Sequence, residues 1–238
     1  KLNIALKNNP LCVGISSMTG PQIARGLEVS EFVKKNNPNV KVVWGGVHST
    51  LFPDQTLKNP NIDIVVRGNG EETFLELANA LENNKDFSEI SGLSYRKDGR
   101  IIHTKEREAY DLNELPDIPW HLVDLGNYKN RSFHQDNVLN VETSRGCPFP
   151  CTFCYCTVFH KRSWKSMTPE KTMEILKELN QQYGVKNFEP IDDNFFVNLK
   201  RSTEVMKLII KEKLDINMGF QGVRIDSMSR LTHDELDL

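Results

Sequence analysis

Hydrophobic positions in the first third of the chain form short continuous runs that alternate with helical patterns. The runs LCVGISS, VKVVWGG and IDIVVRGNG end in small or glycine residues. The segments IARGLEVSEFVKKNNP and EETFLELANALEN have helical spacing. The second places four apolar residues on one face: Phe74, Leu77, Ala78 and Leu81. Continuous runs between helices are typical of buried parallel strands, so we predict a doubly wound parallel α/β sheet over residues 1–95.

The carboxyl ends of the three predicted strands all carry small residues: Ser16-Ser17, Gly45-Gly46 and Gly68-Asn69-Gly70. Ligands of such sheets bind beyond these ends, and glycine lets a ligand approach the backbone closely. A tight turn is the alternative explanation for one glycine pair, but three such ends on one edge favour a binding site. The spacing does not match GxGxxG, which argues against a nicotinamide dinucleotide site.

Residues 96–137 depart from this alternation. The segment ISGLSYRKDGRIIHT predicts a β-hairpin around Asp98-Gly99. The segment DLNELPDIPWHLVDLGNYKN contains prolines that interrupt helices, and it offers Trp120 and Leu122 as anchors. Because it contains little glycine or serine, we predict a packed connector rather than a flexible linker.

A second series of strands and helices begins at Val138. VLNVETS, KNFEPIDDNFF and INMGFQGVRID predict strands, while TPEKTMEILKELNQQYG and LKRSTEVMKLIIKEKL predict helices. Thr168 is the predicted N-cap of the first helix and Gly184 its stop. We predict that its apolar stripe faces the sheet: Met173, Leu176, Leu179 and Tyr183. The order predicts a partial (β/α) barrel over residues 138–238, with its chemistry in the loops after the strands.

Composition and charge narrow the classes of function. The 238 residues, 38% hydrophobic and 26% charged, indicate an ordinary globular protein of one or two domains. The net charge of −2 gives no basic footprint for nucleic acid. We find no apolar run long enough to span a bilayer and no signal peptide in KLNIALKNNP. We therefore predict a cytoplasmic protein, in which clustered cysteines are metal ligands or catalysts rather than disulfides.

Four of the five cysteines lie in the stretch RGCPFPCTFCYC. Cys147, Cys151 and Cys154 have the spacing CxxxCxxC. A zinc ion usually takes four ligands, which Cys156 or His160 could complete, so zinc stays open. A reactive dithiol of the second and third cysteines would leave the first without a role. Three thiolates on one loop suit a four-iron cluster in which one iron is open to a substrate or cofactor.

This stretch, directly after the first strand of a (β/α) series, resembles the cluster loop of radical S-adenosylmethionine (SAM) enzymes. The resemblance implies that Cys147, Cys151 and Cys154 hold a four-iron four-sulfur cluster. SAM would bind the fourth iron and be cleaved reductively to a 5′-deoxyadenosyl radical. The resemblance also implies that Phe153 contacts the adenine of SAM and that Asp192 and Asp193 contact its amino group. It implies that Arg224 binds the SAM carboxylate. A surface salt bridge is the alternative for the arginine.

The segments VGISSMT, VVWGGVHSTLFP and VVRGNGEETFLEL resemble the cobalamin-binding domain of many radical SAM enzymes. The positions that match are Ser16, Ser17, Thr19, Gly45, Gly46, His48, Gly68, Gly70 and Glu71. In the family, the second and third strand ends surround the nucleotide tail of the cofactor. The chain lacks a DxHxxG motif, which would supply a histidine ligand to cobalt. We therefore expect His48 to lie near the nucleotide tail rather than on cobalt. The opening strands and later barrel units are also missing, and we expect a fragment that is short at both ends.

The combined resemblance implies a cobalamin-dependent radical SAM enzyme. Methyl transfer to an unactivated carbon or phosphorus centre is the chemistry implied first, with one SAM methylating cobalt and another generating the radical. Oxidative ring formation, as in anaerobic porphyrin cyclases, is an alternative within the family. A non-enzymatic, zinc-stabilised corrinoid carrier is the alternative from another class. The expected partners are a small-molecule or natural-product substrate and an electron donor such as flavodoxin or ferredoxin.

Overall fold

The structure is a computed structural model that describes residues 2–129 and 136–237. The chain divides into two compact units, Lys1–Ala109 and Tyr110–Leu238. No helix in the described part has the length and apolar character needed to cross a membrane. The elements of the first unit are α1 (Leu2–Lys7), β1 (Cys12–Ser16), α2 (Pro21–Asn36), β2 (Lys41–Gly45), α3 (Val47–Leu51), α4 (Pro53–Leu57), β3 (Ile64–Val66), α5 (Glu71–Glu82), β4 (Leu93–Lys97) and β5 (Arg100–His103).

The first unit is built on a five-stranded sheet in the order β1-β2-β3-β4-β5, whose first three strands are parallel. Alternate residues of β2 enter two different cores: Val42 and Trp44 pack on one face, and Val43 on the other. Both faces are covered, which explains why this strand is a continuous apolar run. The buried indole of Trp44 donates to Ser30 Oγ at 2.9 Å. The predicted parallel α/β sheet is confirmed.

The buried face of α5 differs from the predicted one. Thr73, Leu77 and Ala80 are buried, whereas Phe74 is 40% exposed. The hydroxyl of Thr73 donates to the carbonyl of Ser91 at 3.0 Å, so this polar side chain is satisfied inside the core. A count of apolar residues could not reveal that partner.

The predicted hairpin is present, but it belongs to the first sheet. Asp98 and Gly99 have φ of 50° and 73°, the left-handed pair that a tight two-residue hairpin needs. Strand β4 pairs antiparallel with β3, and β5 extends the edge. The predicted boundary between residues 95 and 96 therefore falls inside β4, and the first unit continues to Ala109.

The second unit begins with two 3-10 turns, Trp120–Leu122 and Leu125–Tyr128. Its further elements are β6 (Val138–Val141), β7 (Ser144–Gly146), α6 (Cys156–Phe159), β8 (Trp164–Ser166), α7 (Pro169–Tyr183), β9 (Asn187–Pro190), a 3-10 turn (Phe195–Val197), α8 (Leu199–Lys211), β10 (Asn217–Met218), α9 (Ile225–Met228) and α10 (His233–Leu236).

Strands β6, β9 and β10 form a parallel sheet in the order β10-β9-β6, as the predicted (β/α) series requires. Helix α7 begins and ends as predicted: the Thr168 hydroxyl accepts the Lys171 amide at 3.1 Å, and Gly184 is left-handed. The predicted stripe packs against the strands, with Met173, Leu176 and Leu179 buried and Tyr183 at the margin.

Two predictions in the second unit are wrong in detail. Trp120 packs against the core, but Leu122 is 72% exposed and Leu125 is buried instead. Asp124 accepts the Gly126 amide at 3.0 Å and so starts the turn that carries Leu125. The third strand is only Asn217–Met218, which leaves Arg224 in the loop before α9. Residues 130–135 of the predicted connector lie outside the described residues.

Candidate functional site

The cysteines lie in a loop, residues 147–163, that joins the strands of a small antiparallel ribbon, β7–β8. We call this segment the cysteine loop. Gly146 closes its base with φ of 84°, and a Cβ there would overlap the carbonyl oxygen of Ser163. Only glycine fits both the conformation and the space. The three-residue strands of the ribbon are too short for their pattern to be recognised, and the sequence analysis missed them.

The three predicted cluster ligands share this loop. Cys147 is buried, Cys151 and Cys154 are half-buried, and all are free thiols. The amide of Cys154 donates to the carbonyl of Cys151 at 3.1 Å, which makes a turn between them. Phe153 is 91% exposed.

The structure describes no group of three His, Cys, Asp or Glu side chains that converges as a single metal ion would require. A zinc ion needs that convergence. In a four-iron cluster each thiolate binds a different iron. The assignment of the three thiols to a cluster stays a prediction.

Asp193, which follows β9, binds residues on both sides of the segment that contains Cys147, Cys151 and Cys154. Its Oδ2 accepts the amide of Gly146 at 2.8 Å, just before the first cysteine. Its Oδ1 accepts the Tyr155 hydroxyl at 2.6 Å and the Cys156 thiol at 3.0 Å, just after the third cysteine. His160 Nε2 lies 3.3 Å from Oδ2. One carboxylate therefore connects residues from both sides of the segment that contains the three predicted ligands.

These contacts set the charge states around Asp193. Burial alone would raise the pKa of Asp193, but hydrogen bonds from His160, Cys156, Tyr155 and the Gly146 amide outweigh burial and hold that pKa well below its usual range. Burial, the hydrogen bond to Asp193 and its charge raise the pKa of Cys156 well above that of an ordinary thiol. Cys156 is therefore a buried, protonated donor to an aspartate, which is a different chemical state from that of a metal-bound thiolate.

Asp192 holds the other end of the ribbon. Its carboxylate accepts the Thr143 amide and hydroxyl, both at 2.7 Å, and the Ser144 hydroxyl at 2.6 Å. Behind them the buried Arg201 donates to Thr143 O at 3.0 Å and to Met167 O at 2.7 Å. Arg201 is not among the predicted site residues, because a charge in the first turn of an amphipathic helix has the signature of a surface residue. The contact of both aspartates with the SAM amino group stays a prediction.

Arg224 is paired within the protein. Its Nε and Nη2 bind the two carboxylate oxygens of Asp226 at 3.0 and 2.7 Å. Its guanidinium lies over the Phe149 ring, 3.8 Å from the centroid, and its Nη1 is 3.5 Å from Cys151 Sγ. The salt bridge that was the alternative for Arg224 is thus present. The predicted bidentate contact of Arg224 with the SAM carboxylate stays a prediction.

At the carboxyl edge of the first sheet, Gly46 is required by the fold itself. The Ser17 amide donates to Gly45 O at 3.0 Å, and the His48 amide donates to Ser17 O at 3.1 Å. With φ of 88°, Gly46 would carry a Cβ only 2.8 Å from Ser17 O. A Cβ on Gly46 would therefore collide with Ser17, directly after β1, before any ligand is considered.

The other two strand ends are more open. A Cβ on Gly45 would meet Val66 O at 3.8 Å, an ordinary contact, and one on Gly68 would meet no described heavy atom within 4 Å. A Cβ on Gly70, the N-cap of α5, would lie 3.4 Å from Val66 Cγ1. Glu71 begins the helix. These positions leave an accessible stretch of backbone at the edge.

Polar side chains at this edge fall into two groups. Thr19 Oγ1 and His48 Nδ1 lie 3.3 Å apart, and the histidine is buried beside Phe52. The buried Ser17 hydroxyl donates to Met18 O at 3.0 Å, while Ser16 is exposed. The predicted residues Thr19 and His48 thus lie together at this edge. Ser17 instead takes part in the turn.

Comparisons with known proteins agree with this division of the chain. Residues 2–78 match the family model of the B12 binding domain, and residues 141–237 match that of the Radical SAM superfamily. An uncharacterized methyltransferase of Pyrococcus horikoshii is 36% identical over 90% of this chain and 46% of its own length. An anaerobic magnesium-protoporphyrin IX monomethyl ester cyclase of Synechocystis sp. is 34% identical over 92% of this chain and 43% of its own length.

A solved structure gives the same fold. OxsB, a cobalamin-dependent SAM radical enzyme with aqua-cobalamin and SAM bound, aligns over 91% of this chain and 31% of its own, with a TM-score of 0.73 and 22% identity. At that identity the likeness bears on the fold, which confirms the predicted fold class. The chain spans less than half the length of the proteins it matches here.

Proposed function

We propose that this chain is part of a cobalamin-dependent radical SAM methyltransferase, because residues 2–78 match the family model of the B12 binding domain and residues 141–237 match that of the Radical SAM superfamily. The observation that carries the proposal is the cysteine loop, in which three free thiols lie between Gly146 and Cys156, two residues that both bind Asp193. Methyl transfer is preferred because a methyltransferase relative is the more similar of the two relatives described above.

Residues of the second unit fit a cluster with one open iron. Cys147, Cys151 and Cys154 are the proposed ligands, and Cys156 is occupied with Asp193. When bound, the cluster supplies the electron that cleaves SAM. The exposed Phe153, between two of the ligands, is the proposed side of approach for the adenine. Asp192 and Asp193 position the ribbon that carries the ligands.

Residues of the first unit fit the tail of a cobalamin. Gly45, Gly68 and Gly70 leave backbone accessible at the strand ends, and Thr19 with His48 forms a polar pair nearby. When bound, cobalamin carries the methyl group. Gly46 and Ser17 act indirectly, because they shape the turn beside the edge.

The proposed partners are a small-molecule or natural-product substrate and a one-electron donor such as flavodoxin or ferredoxin. All five cysteines are unpaired, which fits a compartment that keeps thiols reduced, and we infer a cytoplasmic location from that chemistry.

The test is anaerobic reconstitution of the chain with iron and sulfide, followed by incubation with SAM labelled in its methyl group, cobalamin and a reductant. We expect about four irons per chain with broad absorption near ~400 nm, formation of 5′-deoxyadenosine, and label in cobalamin. Cys12→Ala is the matched control for Cys151→Ala, because Cys12 lies on β1, outside the cysteine loop.

Three results would separate the alternatives. A colourless chain that holds one zinc would support a corrinoid carrier. Production of 5′-deoxyadenosine with no label in cobalamin or product would favour the cyclase reading, which the Synechocystis relative supports. Absence of iron and of cobalamin binding would refute the proposed function.

A further inference from the structure

We propose that Arg224 acts on the cluster through Cys151: it donates a hydrogen bond to the ligand sulfur and holds a positive charge there, and so raises the reduction potential of the cluster. This rests on the proposed function, since it presumes that Cys151 is a ligand. It differs from the predicted role of the arginine, which was to bind the carboxylate of SAM.

The position of Arg224 is determined by three contacts of different kinds. Asp226 binds Nε and Nη2 as a fork, at 3.0 and 2.7 Å. The ring of Phe149 supports the face of the guanidinium at 3.8 Å. The third group, Nη1, is 3.5 Å from Cys151 Sγ. A planar guanidinium with its fork and face both occupied has little freedom to turn, so Nη1 is held toward the sulfur.

This arrangement leaves the fork unavailable to a second carboxylate. A bidentate contact with SAM would require Asp226 to release both hydrogen bonds. The contact with Cys151 requires no such change.

A charge at this position has a definite effect on cluster chemistry. Three thiolates give the cluster a negative net charge, and reduction adds one further negative charge. A hydrogen bond and a cation at a ligand sulfur therefore stabilise the reduced form more than the oxidised form. Asp226 offsets part of the positive charge, so its removal should act in the opposite direction.

The experiment is a redox titration of the reconstituted chain without SAM, followed by electron paramagnetic resonance of the reduced cluster. For Arg224→Gln we expect the ratio of reduced to oxidised cluster at a given potential to fall about tenfold, a shift of ~59 mV to lower potential for one electron. Arg224→Lys keeps the charge and should recover part of the shift. Asp226→Asn should raise the potential.

Lys186→Gln is the matched control, because it removes one positive charge from an exposed pair in the same unit. It should leave the potential unchanged. SAM affinity is measured in parallel for each variant.

Unchanged potential in Arg224→Gln at full iron content would overturn the inference. So would weaker SAM binding with an unchanged SAM-free potential, which would assign the arginine to the SAM carboxylate. If Arg224→Gln does not load iron, the test is the reduction potential of Asp226→Asn. A potential of Asp226→Asn at or below that of the wild type would refute the inference. Failure of the wild-type chain to load any iron would instead refute the proposed function.

Discussion

Replacing Asp193 tests whether one carboxylate holds the cysteine loop in place. The side chain accepts hydrogen bonds from Gly146 N at 2.8 Å, Tyr155 Oη at 2.6 Å and Cys156 Sγ at 3.0 Å, and it is 3.3 Å from His160 Nε2. Asp193→Ala removes all of these acceptors at once. Asp193→Asn keeps the shape and one acceptor oxygen but removes the charge.

The size of the effect follows from which donors remain buried. Gly146 and Cys156 are buried, whereas Tyr155 is exposed and can turn to water. An unsatisfied buried donor costs about 1–3 kcal/mol, and a thiol is a weak donor. We therefore expect Asp193→Ala to lower the free energy of unfolding by about 2–4 kcal/mol. In urea that is a shift of the midpoint by roughly 1 M or more. Asp193→Asn should lose less.

The assay is urea unfolding of the metal-free chain, followed by circular dichroism, together with hydrogen exchange of the cysteine loop. Asp215→Asn is the control, because its partner Lys186 is exposed and such pairs contribute about 0–1 kcal/mol. In Asp193→Ala the amide of Gly146 should exchange faster, and iron loading after reconstitution should fall.

The reasoning is refuted if Asp193→Ala unfolds at the same urea concentration as Asp215→Asn and its loop exchanges at the wild-type rate. That result would mean that the ribbon and its turns hold the cysteines without the carboxylate.

Four further predictions concern Asp193, the loop cysteines and the glycines of the first sheet. Because the pKa of Asp193 is depressed in the fold, the stability it contributes is present above the unfolded value of 3.8 and is lost as the pH falls from there toward the folded value. The difference in unfolding free energy between wild type and Asp193→Asn should shrink in acid, and a constant difference would contradict this. Cys156→Ala should keep about four irons per chain while Cys151→Ala loses the cluster; equal iron loss in both would mean that the ligand set is wrong. Gly46→Val should destabilise the first unit with or without cobalamin, since its Cβ meets Ser17. Gly45→Val should leave urea stability near that of the wild type and weaken cobalamin binding at least ~10-fold, and wild-type affinity would exclude this edge from the cofactor site.

Several elements could be predicted because their cause lies within a few residues. Thr168 and Gly184 bound α7 through hydrogen bonds to near neighbours in sequence. Asp98 and Gly99 supply the two left-handed residues of a hairpin. The apolar runs of the parallel strands follow from a sheet that is covered on both faces. The spacing of the three loop cysteines is likewise a local property of the chain.

The roles of particular side chains depended on contacts between distant segments. Asp193 binds the amide of Gly146, 47 residues earlier, and the register of β6 with β9 brings the two loops together. The same folding buries Arg201 behind Thr143 and places Arg224 beside Cys151. In the sequence these residues appear as an acidic pair, a charge on a helix and an arginine in a predicted strand.

The order of strands and helices, the spacing of the loop cysteines and the small residues at the sheet edge can all be predicted from local sequence, because periodicity, capping and turn chemistry act over short distances. The partner of each polar group depends on the folded chain. A hydrogen bond between loops is set by the geometry of two strands together, and that geometry leaves no pattern in either segment alone. For this reason the structure was needed to show that a turn requires Gly46 and that the Cys156 thiol donates to Asp193.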